Sequence, residues 1–116
     1  MKEIEQIYCN DFGVAFYWKK DDVILYNKVQ VIFRETGFYF TSNELSQFGR
    51  IIDSTLNSNC CNNCANHKCS KFLLKTPFTG LELAVSKYEL AQIKDLIEGA
   101  LFKIQLSEYI NNSGQN

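Results

Sequence analysis

The run Val29-Gln30-Val31-Ile32-Phe33-Arg34-Glu35-Thr36-Gly37-Phe38-Tyr39-Phe40-Thr41-Ser42-Asn43-Glu44-Leu45 decides the fold, because it passes from strand to turn to strand to helix without interruption. Val29, Val31 and Phe33 fall on one face with Gln30 and Arg34 on the other, the period of a half-buried strand. Arg34-Glu35-Thr36-Gly37 reads as a turn, and Phe38 and Phe40 share one face of the strand that follows. In Thr41-Ser42-Asn43-Glu44 a threonine hydroxyl and a glutamate three residues on can each satisfy the other's backbone donor, which is the capping box that opens a helix. Leu45, Phe48, Ile52 and Leu56 then recur at helical spacing, and the helix should stop near Asn57.

Upstream, apolar segments at Ile7–Cys9, Val14–Trp18 and Val23–Tyr26 are separated by Asn10-Asp11-Phe12-Gly13 and Lys19-Lys20-Asp21-Asp22, both turn compositions. With Val29–Phe33 they form an antiparallel meander. Downstream the plan recurs. Phe72 and Leu74 mark a strand, Thr76-Pro77-Phe78-Thr79-Gly80 a turn, and Leu81, Leu83 and Val85 a second strand alternating with Glu82 and Ala84. Ser86-Lys87-Tyr88-Glu89 is another capping box. It opens a long helix carrying Leu90, Ile93, Ile97, Ala100, Leu101 and Ile104 on one stripe, which runs to about Tyr109 despite a cost of about 1 kcal/mol at Gly99.

Setting Glu44-Leu45 over Glu89-Leu90 pairs Phe48 with Ile93, Ile51 with Leu96 and Ile52 with Ile97, and Phe38-Tyr39-Phe40 with Leu83-Ala84-Val85. The expectation is a single α+β domain over residues 1–110. Its duplicated strand-strand-helix halves, 1–57 and 70–110, are joined by a cysteine-rich loop at 58–69, and residues 111–116 form a disordered tail. At 116 residues such a chain can bury roughly 65 per cent of its unfolded surface without a metal or disulfide.

A net charge of −1 gives no overall field for nucleic acid or anionic lipid. Lys68, Lys71 and Lys75 are more readily a solvated face than a nucleic-acid platform. No apolar run reaches the roughly 18 residues of a membrane span. The polar, acidic start Met1-Lys2-Glu3-Ile4-Glu5-Gln6 is unlike a signal peptide. The expected location is the cytoplasm, where thiols stay reduced.

Four of the five cysteines and the only histidine lie in Cys60-Cys61-Asn62-Asn63-Cys64-Ala65-Asn66-His67-Lys68-Cys69. Cys61-x-x-Cys64 has the spacing of a zinc knuckle, with His67 and Cys69 placed to complete a tetrahedral set. Cys60 is an alternate ligand, as is Cys9 if its strand ends nearby. Two other readings stay open: a reduced loop without a ligand, in which thiols pack as small hydrophobes, and redox or disulfide chemistry. A thioredoxin-like role is disfavoured, because this Cys-x-x-Cys follows a helix C-terminus, where the dipole opposes a thiolate.

Phe16-Tyr17-Trp18 places three consecutive aromatics in one strand, so they cannot all face one core. Phe16 and Trp18 are therefore candidate interface residues, for a homodimer or another protein partner.

The segment Lys71-Phe72-Leu73-Leu74-Lys75-Thr76-Pro77-Phe78, with Leu81-Glu82-Leu83-Ala84-Val85-Ser86 and a helix opening at Glu89-Leu90, resembles the C-terminal half of a family of small bacterial proteins of undescribed function. The resemblance covers mainly residues 60–105. It implies an α+β fold and no particular activity. Where that family carries a paired-cysteine motif in its first half, this chain has Tyr17-Trp18-Lys19-Lys20-Asp21-Asp22.

The reading is of a non-catalytic binding or scaffolding domain whose loop offers a zinc site. The alternative is a metal- or thiol-dependent enzyme or sensor using the same loop.

Overall fold

The computed structural model describes residues 3–57 and 72–113. Five strands come first: β1 (Glu3–Cys9), β2 (Gly13–Lys20), β3 (Val23–Ile24), β4 (Val29–Phe33) and β5 (Thr36–Phe40). Helix α1 (Ser42–Asn57) follows, then the hairpin β6 (Phe72–Lys75) and β7 (Glu82–Val85), and helix α2 (Lys87–Ser113). The architecture is α+β, with the strands antiparallel throughout. One sheet has the order β1-β2-β4-β5 with β3 beside β2, and β6 and β7 form a second.

Each connection follows from its residues. Asn10 accepts the Phe12 and Gly13 amides on its side-chain oxygen, both at 2.9 Å, a side-chain mimic of a backbone turn. Asp21 and Asp22 both have positive φ, 54° and 66°, as a two-residue hairpin turn between twisted strands requires. Val23–Tyr26 is shorter as a strand than its apolar character suggests: only Val23 and Ile24 pair with β2. Conversely, β1 reaches back to Glu3, because an edge strand with one wet face tolerates glutamates.

The two capping boxes match atom for atom. The Thr41 amide donates to Glu44 at 2.8 Å and the Glu44 amide to Thr41 Oγ1 at 3.1 Å. The Ser86 amide donates to Glu89 at 2.8 Å and the Glu89 amide to Ser86 Oγ at 3.1 Å. Leu45 and Leu90, Phe48 and Ile93, and Ile52 and Ile97 are buried pair by pair, as the internal alignment predicts. One hydrophobic cluster draws on both halves, including Val31, Phe40, Phe48, Leu74, Leu90 and Ile97. Phe78, from the Thr-Pro-Phe turn, stacks on Phe38 and Phe40 at 6.4 and 5.5 Å and ties the small hairpin to the large sheet.

Helix α2 is longer than the sequence predicts. It takes in residues 111–113, which the reading above placed in a disordered tail, because no helix-stopping glycine or proline intervenes between Gly99 and Gly114. Residues 114–116 lie outside the described residues, as does the whole cysteine-rich loop.

Candidate interaction surfaces

Alternation along the strands sorts side chains onto two faces. Ala15, Val31, Phe33, Phe38 and Phe40 point into the core. Val14, Phe16, Trp18, Gln30, Ile32 and Tyr39 point to the far face, and none of them belongs to the core cluster. This places the two predicted interface residues side by side. Phe16 is nevertheless only 4 per cent exposed. The Trp18 ring covers it edge-on at 5.0 Å, and the indole N–H donates to Gln30 Oε1 at 3.2 Å. Gln30 in turn donates to the Phe38 carbonyl at 3.0 Å. Much of this aromatic surface is thus committed within the molecule. What the far face presents to solvent is Ile4, Val23 and Tyr39, the last carrying the Lys28 ammonium 5.0 Å above its ring.

A second apolar surface lies on α2, and the sequence reading above missed it. Phe102, Leu106, Tyr109 and Ile110 are 62, 41, 69 and 56 per cent exposed. At 100° per residue they form one stripe, on the side of the helix opposite Ile97, Ala100 and Ile104, which are buried. The C-terminal half of α2 is therefore apolar on two opposite faces. The signal was in the sequence as a second i, i+4, i+7, i+8 series behind the first. At the start of the stripe Tyr8 lies across Gly99, and its hydroxyl donates to both Asp95 oxygens at 3.1 and 3.0 Å. Asn10 adds bonds to Asp95 and to the Gln92 carbonyl.

Between β1–β3 and the end of α2 is a cleft of about 510 Å³, lined by Glu5, Tyr17, Tyr26, Lys103, Ile104 and Glu108 among others. Tyr17 and Tyr26 meet edge to face at 4.9 Å. The Tyr17 phenol is held above its ordinary range, chiefly by burial and then by the nearby Glu108 carboxylate and Tyr26. Apolar Ile7, Ile24 and Ile104 line it together with side chains of both charges, Glu5, Glu108 and Lys103.

Of the predicted metal ligands, Cys60, Cys61, Cys64, His67 and Cys69 lie outside the described residues. Cys9 ends β1 and is exposed, its sulfur 3.4 Å from the Gln6 side-chain amide. Among the described residues no three His, Cys, Asp or Glu side chains gather to hold a metal ion. Among them, too, no helix is long and apolar enough to cross a membrane. Comparison with protein-family models, curated proteins and solved structures finds no match to this chain.

Proposed function

We propose that this chain is a non-catalytic binding and scaffolding domain that works by associating with protein, a second copy of itself included. The observation that carries the reading is the two-faced apolar surface of α2. A helix with apolar residues on both sides needs two layers to cover them, and the sheet supplies one. The far face of the sheet, with Trp18 at its centre, is a smaller second surface. Light scattering across a wide concentration range tests the reading. A reversible rise from monomer to dimer mass supports it, and a strict monomer up to millimolar chain removes self-association.

The cysteine-rich loop extends the proposal. Cys61, Cys64, His67 and Cys69 have the residue types and spacing to hold zinc as a structural ion, with Cys60 as an alternate. Metal analysis of untagged protein tests this: about one zinc per chain is expected, lost when Cys61 and Cys64 are changed to serine. The intracellular setting and the kinship with small bacterial α+β proteins are part of the same proposal.

A further inference from the structure

We propose that the outer edge of β6 takes up an extended strand of a partner protein, antiparallel to β6 and carrying in succession an acidic, a small and a bulky apolar residue. The inference rests on the reading of this chain as a protein-binding domain, names the chemistry of one partner, and uses a surface other than α2.

The internal repeat carries it. Phe38 pairs with Val31 across β4 and β5, and Leu83, its equivalent in the second half, pairs with Leu74 across β6 and β7. Leu74 therefore stands where Val31 stands, Leu73 where Gln30 does and Lys75 where Ile32 does. β4 is bonded on both edges, to β5 on one side and to β2 on the other. Among the described residues β6 is bonded to β7 alone. The place that β2 fills in the first half is thus without a counterpart among the described residues of the second. A strand edge of this kind presents backbone N–H and C=O groups that another strand satisfies.

The helices record the same difference. A side chain on Gly13 of β2 would meet Leu96 of α2 at 3.0 Å, and the Tyr8 ring of β1 lies on Gly99. In the internal alignment Ile51 corresponds to Leu96, Ser54 to Gly99 and Thr55 to Ala100. Leu96 and Ala100 are fully buried, whereas Ile51 and Thr55 are half-buried. With Leu73 and Lys75 of β6, Ile51, Ser54 and Thr55 line a groove of about 390 Å³. The groove lies between α1 and β6, the relation that β2 has to α2 and β4.

Register gives the partner's residues. In β2, Val14, Ala15 and Phe16 stand opposite Ile32, Val31 and Gln30. A strand set beside β6 in the same register meets Lys75, Leu74 and Leu73 in that order. Leu74 is fully buried, so a small residue fits opposite it, as Ala15 does opposite Val31. Leu73 is 68 per cent exposed, and a bulky apolar residue opposite would cover it. Among the described residues of the groove only Lys75 is charged, and it calls for an acid across the strand pair. A basic residue there is repelled, so charge selects among strands that the edge alone would accept.

The test titrates the isotope-labelled full chain with the peptide acetyl-Gly-Glu-Ala-Phe-Thr-Thr-amide and follows the amide NMR spectrum. Shifts centred on β6 and on Ile51 and Thr55 are expected, with a dissociation constant below about 1 mM. Replacing the peptide's glutamate by lysine should weaken binding about tenfold, and Lys75→Glu should reverse the preference between the two peptides. The same peptide methylated on alternate backbone nitrogens should not bind, because its donors to the edge are gone. Equal binding of the methylated peptide overturns strand addition, and equal binding of the glutamate and lysine peptides overturns the acidic partner. Shifts on β1 in place of β6, or none at millimolar peptide, overturn the site. Light scattering on the same samples keeps the two readings apart: a chain that dimerises and takes no peptide loses strand addition alone, and one that takes the peptide as a strict monomer loses self-association alone.

Discussion

The ring of Tyr8 occupies the space that a side chain at residue 99 would need, and Gly99 is what lets β1 lie against α2. A glycine inside a helix ordinarily costs about 1 kcal/mol against alanine. Here a methyl group would fall on the Tyr8 ring and push it off the helix, together with its hydrogen bonds to Asp95. Lost packing and hydrogen bonding outweigh the gain in helix propensity. Gly99→Ala is therefore expected to destabilise the chain by about 1 kcal/mol. In a Tyr8→Ala background the same change should stabilise it by a similar amount. Urea denaturation of the four proteins of this cycle gives the answer, and the same sign in both backgrounds would refute the account.

This contact also marks the limit of what the sequence discloses. The capping boxes at Thr41 and Ser86 are legible because their partners are three residues apart. The core faces of β4, β5 and both helices are legible because alternation and helical spacing are local patterns. Gly99 reads only as a weak point, because its partner Tyr8 stands in the first strand. Phe16 and Trp18 read as surplus aromatics for the same reason: strand register brings Gln30 beneath the indole, and nothing near Trp18 in sequence announces it. The second stripe on α2 was legible, but the stronger core stripe masks it.

Alkaline lability should follow from the same latch. The Tyr8 phenol is raised above its ordinary value of 10.0, first by its hydrogen bond to Asp95 and then by burial and the Asp95 charge. Lys94 is raised above 10.5 by its bonds to Glu98 and Asp53. Both shifts run upward, so their contribution to stability is complete below the unfolded-state values and is lost as pH rises through the folded-state ones. The fold should hold up to about pH 9 and weaken above about pH 10. In Tyr8→Phe the part of this loss due to the phenol should vanish. Denaturation midpoints measured from pH 8 to 11.5 test this; parent and variant curves that stay parallel would show that the phenol plays no part.

The two cap glutamates should differ in cost although their caps are the same. Among the described residues Glu44 bonds only within its own box, whereas Glu89 also pairs with the Arg34 guanidinium, which reaches over from the β4–β5 turn. Arg34 holds a positive φ of 56° there and lies 5.9 Å from the centre of the Phe12 ring. Replacing either glutamate by alanine should cost about 1 kcal/mol for the cap. Glu89→Ala should cost up to about 1 kcal/mol more, the ceiling for a half-exposed ion pair. Glu89→Gln isolates the charge, since an amide oxygen can still accept from Ser86. Its cost should shrink in high salt while that of Glu44→Ala does not. Equal, salt-independent costs at the two sites would show that Arg34 contributes nothing.

Trp18 separates the two apolar surfaces. Its ring covers Phe16 and its N–H satisfies Gln30, so its removal is a loss within the chain. An edge-to-face aromatic pair is worth about 0.5–1.5 kcal/mol beyond the area it buries, and the uncovered Phe16 adds to the penalty. Trp18→Ala should therefore lower stability by about 2–3 kcal/mol and leave the dimer dissociation constant unchanged. Leu106→Glu should do the reverse, because Leu106 stands on the outer side of α2, away from the core. Paired denaturation and sedimentation measurements on the two variants distinguish the surfaces. If Trp18→Ala instead weakens association at undiminished stability, the far face of the sheet is the meeting surface and the outer stripe of α2 is not.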